Sequence, residues 1–110
     1  MASKVCVVAA GGTGGHMFPA EALSRELAGR GWRIVLATDH RGEAYAHNFP
    51  AEQRIALDAA TGRGPIGMAK AGVAIARGVV KARKALNRLD AAVVVGFGGY
   101  PSAPALIAAL

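Results

Sequence analysis

The chain has 110 residues, 53% hydrophobic and 18% charged, which suits one small domain with a buried core and excludes a disordered chain and most complete two-domain enzymes. One cysteine excludes an intrachain disulfide and a cysteine-built zinc site, and fits a reducing compartment. The net charge of +6 belongs to one segment: residues 59–89 carry Arg63, Lys70, Arg77, Lys81, Arg83, Lys84 and Arg88 and no acid, and the remaining charges nearly cancel. That segment calls for an anionic partner, whether phosphate, membrane or nucleic acid.

Val5–Ala10 is a continuous apolar, β-branched run, as in a strand covered on both faces. It is too short for a signal-peptide core. Gly11–Phe18 reads as a loop, with Pro19 opening a helix that carries Leu23 and Leu27 and stops at Gly31. Ile34–Ala37 makes a second strand. Asp39 then either ends that strand and caps the next helix, or touches a ligand. A short helix over Gly42–Asn48 and a third strand over Arg54–Leu57 come next. After a loop at Gly62, Gly64 and Pro65, a long helix runs roughly from Ile66 to Leu89. A buried strand over Ala92–Val95 and a helix from near Pro104 complete the order. The uncharged stretch 91–110 has the length of a membrane helix, but Gly96, Gly98, Gly99, Pro101 and Pro104 interrupt it, so no segment is expected to span a bilayer.

Strands alternating with helices through short connections predict a doubly wound, Rossmann-like parallel α/β sheet, with ligands bound at the carboxyl ends of its strands. Two glycine-rich loops fall at that edge. Gly11, Gly12, Thr13, Gly14, Gly15 and His16 follow the first strand; Gly96 to Ser102 follow the fourth. Glycines let successive N–H groups turn toward a ligand, and a helix N-terminus adds partial positive charge. Phe18 offers the first helix no capping oxygen, which leaves its N–H groups to a bound anion. Phosphate-type binding is therefore expected, against the plainer role of making two tight turns.

The type of phosphate ligand is constrained as well. No Gly-Lys-Ser/Thr ending is present for a nucleotide hydrolase. A dinucleotide fingerprint fits poorly, with Met17 or Thr13 where glycine belongs. Asp39 as a ribose-binding acid keeps a nicotinamide-binding module open as an alternative. His40 and His47 lack carboxylate or cysteine partners at ligand spacing, and Cys6 reads as a small core residue.

The run Gly-Gly-Thr-Gly-Gly-His-Met-Phe-Pro-Ala (11–20), with Leu23, Leu27 and Gly31-Trp32, resembles the start of the bacterial peptidoglycan glycosyltransferases that make lipid II. Gly98-Gly99-Tyr100-Pro101-Ser102-Ala103-Pro104 matches the same family's Gly-Gly-Tyr-x-Ser-x-Pro segment. The resemblance implies an inverting transfer of N-acetylglucosamine from UDP-N-acetylglucosamine to undecaprenyl-diphospho-N-acetylmuramoyl-pentapeptide. It also implies a two-domain chain roughly three times longer. Residues 1–110 would then be part of an N-terminal, acceptor-binding domain, without the C-terminal donor domain, and inactive alone. No cofactor or metal is expected: no Asp-x-Asp pair would hold one on a diphosphate.

Site roles come from that resemblance. His16 is either the general base or a brace for its loop; imidazole as a class accepts protons near neutrality. Thr13, Gly14 and Gly15 match contacts to UDP-N-acetylglucosamine. Gly11, Gly12, Gly98, Gly99, Tyr100 and Ser102 are assigned to the acceptor's diphosphate or sugar, with packing over the loop as the alternative for Tyr100.

On the long helix, Lys70, Arg77, Lys81, Lys84 and Arg88 fall on one stripe, with Ile66, Val73 and Val80 beside it. Met68, Ile75, Val79, Leu86 and Leu89 are expected to face the sheet. The stripe is either an ordinary solvated face or a site of attachment to anionic lipid. A polyprenyl acceptor favours attachment, peripherally, on the cytoplasmic face of the bacterial inner membrane. The same charges would also suit a nucleic-acid-binding domain. No aromatic residues interleave with them for stacking, so no nucleic-acid partner is expected.

Overall fold

A computed structural model describes residues 4–58 and 64–110; Gly62 of the expected loop and Arg63 of the basic segment lie outside the described residues. Among these, strands β1 (Val5–Ala9), β2 (Arg33–Thr38), β3 (Gln53–Ala56) and β4 (Val93–Gly96) alternate with helices α1 (Gly14–Gly29), α2 (His40–Glu43), α3 (Gly64–Leu89) and α4 (Ser102–Ala109). All strand pairs are parallel and the order is β3-β2-β1-β4. The expected doubly wound α/β sheet is the one observed.

β1 is central because it has no polar face to show. Its alternate side chains enter two cores on opposite faces of the sheet. Val5, Val7 and Ala9 join Val35 and Ala37 under Ala82 and Ala85 of α3 and Ala105 and Ala108 of α4. Cys6, Val8 and Ala10 join Ile34 and Leu36 under Met17 and Ala20 of α1, with Phe49. Small residues bring α3 and α4 together: a Cβ on Gly78 would lie 3.1 Å from the Pro104 Cβ.

Four expectations need correction. First, α1 begins at Gly14, so Pro19 lies inside it. Proline there removes the bond to the Gly15 carbonyl near the helix start, and the full burial of Met17 and Ala20 on either side holds the turn closed. Second, the short helix comes earlier than Gly42–Asn48. Asp39 caps it, accepting the Gly42 N–H at 2.8 Å. Third, β4 is not a buried strand. It lies at the sheet edge, and Val93 is 41% exposed.

Fourth, Met68 does not face the sheet; it is 77% exposed. The reason is length. The 26 residues of α3 span about 39 Å, whereas strands of four to six residues span about 13–20 Å. The helix end is fixed beside β1 and β4, where Ala92 N–H donates to the Val5 carbonyl and Leu89 packs on the core. Its first turns therefore overhang the carboxyl edge of the sheet. The buried face runs through Ala82 and Ala85, flanked by Val79, Leu86 and Leu89 as expected.

Candidate functional site

Winding proceeds outward from β1 to β2 to β3, then returns through α3 to β4 on the other side of β1. The direction of winding reverses between β1 and β4, and a crevice opens beyond their carboxyl ends, where sheets of this kind bind ligands. Both glycine loops lie there, and they touch. The Gly11 N–H donates to the Gly98 carbonyl at 3.3 Å. Gly99, at φ +81°, presses so closely on Gly11 that any Cβ would run into the Gly11 carbonyl oxygen.

Ser102 staples the second loop. Its Oγ accepts the Gly98 N–H at 3.0 Å and turns its own proton toward the carbonyls of Ala9 and Gly98, each also 3.0 Å away. Its hydroxyl is thus engaged within the protein rather than held open to the crevice. Tyr100 differs. Its hydroxyl is buried and has no hydrogen-bond partner among the described residues, and burial pushes its pKa above the ordinary phenol value.

His16 sits in the first turn of α1, and its Nδ1 lies 2.9 Å from the Gly11 carbonyl oxygen. A carbonyl only accepts, so Nδ1 carries the hydrogen and Nε2 keeps a free lone pair in the neutral ring. The Nε2 edge rests over Gly98: a Cβ there would lie 2.9 Å from both Nε2 and Cδ2. Gly98, at φ +107°, leaves that edge uncovered.

The N-cap of α1 is Thr13, extended at φ −131° and ψ 162°, and its side chain makes no capping bond. The expectation of an uncapped helix holds, five residues earlier than Phe18. The Thr13 carbonyl takes the N–H groups of His16 and Met17, at 3.2 and 3.1 Å. Those of Gly14 and Gly15 have no protein acceptor among the described residues, and Thr13 and Gly15 are exposed. Uncompensated N–H groups at the positive end of a helix attract an anion.

Two features, the Phe18–Tyr45 pair and Arg41, were not legible as site features in the sequence, and Asp39, read there as a cap or a ligand contact, takes a role that reading did not give it. Asp39 is buried, and its Oδ1 accepts both the Gly12 N–H at 3.1 Å and the Gly42 N–H at 2.8 Å, tying the first loop to α2. The register pairing Ala9 with Ala37 places Asp39 beside Gly11, which is the signal that would have found it. Phe18 and Tyr45, both exposed, form a T-shaped pair with centroids 5.8 Å apart beside Gly14. Arg41 lies against Gly12. His40 also departs from expectation, because the end of β3 brings Asp58 to 3.4 Å from its Nδ1. Cys6 is fully buried, as expected, and desolvation raises its pKa.

On α3, Lys70, Arg77, Lys81, Lys84 and Arg88 are all exposed, and Arg88 donates to the Gln53 Oε1 at 3.2 Å. Ile66, Val73 and Val80 are exposed beside them, as the stripe predicts. A groove of about 710 Å³ between the end of β3 and α3 combines both kinds of residue, with Ile66, Val73, Lys70 and Arg77 in its wall. Among the described residues, no helix is long and apolar enough to cross a membrane.

The family model of the glycosyltransferase family 28 N-terminal domain matches residues 6–110. A UDP-N-acetylglucosamine--N-acetylmuramyl-(pentapeptide) pyrophosphoryl-undecaprenol N-acetylglucosamine transferase of Caulobacter vibrioides is 66% identical over 110 residues, covering 98% of this chain and 30% of its own length. One of the same description from Phenylobacterium zucineum is 61% identical, over 97% of this chain and 30% of its own. A crystal structure of Acinetobacter baumannii MurG superposes with a TM-score of 0.78 at 27% identity, covering 98% of this chain and 32% of that one. The chain therefore spans 30% of the length of these curated relatives.

Proposed function

The chain belongs to the glycosyltransferase family 28 N-terminal domain family, and on that premise we propose that it forms the acceptor side of an inverting N-acetylglucosamine transferase. The donor is UDP-N-acetylglucosamine and the acceptor undecaprenyl-diphospho-N-acetylmuramoyl-pentapeptide, the reaction written in its relatives' names. The observation that carries the reading is His16: one ring nitrogen bonded to the Gly11 carbonyl, the other bare over Gly98, where two glycine loops meet at the sheet's switch point.

In this reading, the acceptor hydroxyl gives its proton to His16 Nε2 as its oxygen attacks the sugar's anomeric carbon. The bond from that carbon to the diphosphate breaks, and UDP leaves with the electron pair. The Gly11–His16 hydrogen bond fixes the tautomer that can accept the proton. The free N–H groups of Gly14 and Gly15, beside Thr13, face the charge that develops on the departing diphosphate. Gly11, Gly12, Gly98 and Gly99 let the acceptor's diphosphate approach the backbone, and the buried, unpartnered hydroxyl of Tyr100 is the donor assigned to it. Ser102 acts through the loop, which it holds in shape. Most of the nucleotide site would belong to a second domain outside these residues.

Peripheral attachment to anionic lipid on the cytoplasmic face of the bacterial inner membrane is part of the same reading. The exposed cations of α3, with Ile66, Val73 and Val80 among them, support it, because an acceptor with a polyprenyl tail is presented at a bilayer surface. The experiment is transfer of radiolabelled N-acetylglucosamine to a lipid I analogue by the full-length protein. Incorporation of label is expected, and none above an enzyme-free blank would overturn the reading.

A further inference from the structure

We propose that Arg41 is a diphosphate-binding residue of the crevice, holding its guanidinium over the first glycine loop; this rests on the transferase reading and deepens it. The starting observation is a pattern of pairing. Outside α3, the other basic side chains of the described residues are engaged. Lys4 stands 6.0 Å above the Trp32 ring, and Arg25, Arg30, Arg33 and Arg54 each lie within 3.4 Å of a glutamate. Arg41 has neither an acidic nor an aromatic partner among the described residues.

Its guanidinium lies beside the loop. A Cβ on Gly12 would lie 3.6 Å from the Arg41 Nη2, so the guanidinium reaches the space over Gly12 that a side chain there would occupy. The turn that carries Arg41 is anchored to the same place, because one oxygen of Asp39 accepts the N–H groups of both Gly12 and Gly42. That buried carboxylate puts negative charge beneath the loop, and a diphosphate approaching Gly12 needs a cation to offset it. A guanidinium can bond two phosphate oxygens at once. The free N–H groups of Gly14 and Gly15 follow along the same loop, so the crevice beside Arg41 already offers unpaired donors to an anion.

Either substrate could present the diphosphate, and the test separates them. Arg41→Ala and Arg41→Lys are made in the full-length enzyme, with Arg30→Ala as a control on a paired cation. Inorganic pyrophosphate serves as the probe, read both as inhibition of transfer and as the rise it causes in Tm. Arg41→Ala should raise the inhibition constant of pyrophosphate about tenfold, lose most of the Tm rise, and regain part of both as Arg41→Lys. The difference from wild type should shrink as salt rises. A KM increase for the lipid analogue assigns the acceptor's diphosphate to Arg41; an increase for the nucleotide sugar assigns the donor's. An unchanged inhibition constant, Tm rise and pair of KM values in Arg41→Ala would overturn the proposal while wild-type transfer keeps the parent reading intact. Should wild type transfer nothing, the Tm arm still decides whether Arg41 binds pyrophosphate.

Discussion

Replacing Gly98 by alanine perturbs the proposed catalytic base, His16, while leaving that residue itself unchanged. At φ +107° an L side chain is strained, and the new methyl would sit 2.9 Å from both Nε2 and Cδ2 of His16. The ring has to turn, which breaks the 2.9 Å bond from Nδ1 to the Gly11 carbonyl. Backbone strain of about 1–3 kcal/mol and a lost hydrogen bond of about 0.5–1.5 kcal/mol predict a stability loss of about 1.5–4.5 kcal/mol. Displacing a base by about 1 Å predicts a fall in kcat of about 10²-fold. Urea unfolding of the full-length protein measures the first, and initial rates at saturating substrates measure the second. Gly72→Ala is the control: its Cβ meets nothing within 4 Å, so it should be neutral or stabilise by about 0.5–1 kcal/mol. If Gly98 acts through His16, the double variant with His16→Ala should be no slower than His16→Ala alone. Wild-type kcat and stability in Gly98→Ala would refute the reasoning, and so would full additivity in the double variant.

Two further outcomes are expected. Reversing Lys70, Arg77, Lys81 and Lys84 to glutamate should weaken binding to phosphatidylglycerol vesicles by at least about 10²-fold, at about 1 kcal/mol per cation, as read by sedimentation; equal binding would return the stripe to an ordinary solvated face. Burial raises the Cys6 pKa above its ordinary 9.0, so the native state keeps a proton that the unfolded chain has lost. Stability from this group is whole below 9.0 and falls as pH rises toward the raised value. Tyr100 adds a decline in the same direction from 10.0 upward. Urea midpoints measured through that range should slope less in Cys6→Ala than in wild type, and an equal slope would place the titration elsewhere.

Much of the fold was legible because parallel strands covered on both faces must be apolar throughout. Val5–Ala10 announced the centre of the sheet, and Gly31 the end of its first helix. Local signals failed where tertiary contacts overrode them. Pro19 is an ordinary helix opener by its own preference, yet burial of Met17 and Ala20 draws the helix back to Gly14. Met68 follows the helical period of the core face, but periodicity does not report how far α3 outruns the strands. At the site, the two glycine loops and His16 could be read from residue type and order alone. Arg41 could not be placed there, nor Asp39 be seen to hold the first loop, since their meeting with Gly12 depends on which strands pair and in what register.

The most direct test of the central claim is the single-turnover rate of N-acetylglucosamine transfer in His16→Ala, measured in the full-length protein with both substrates saturating. Loss of a general base predicts a rate lower by about 10²–10⁴-fold, with the KM for UDP-N-acetylglucosamine changed far less. A wild-type rate in His16→Ala would contradict the account and leave the imidazole as a brace for its loop.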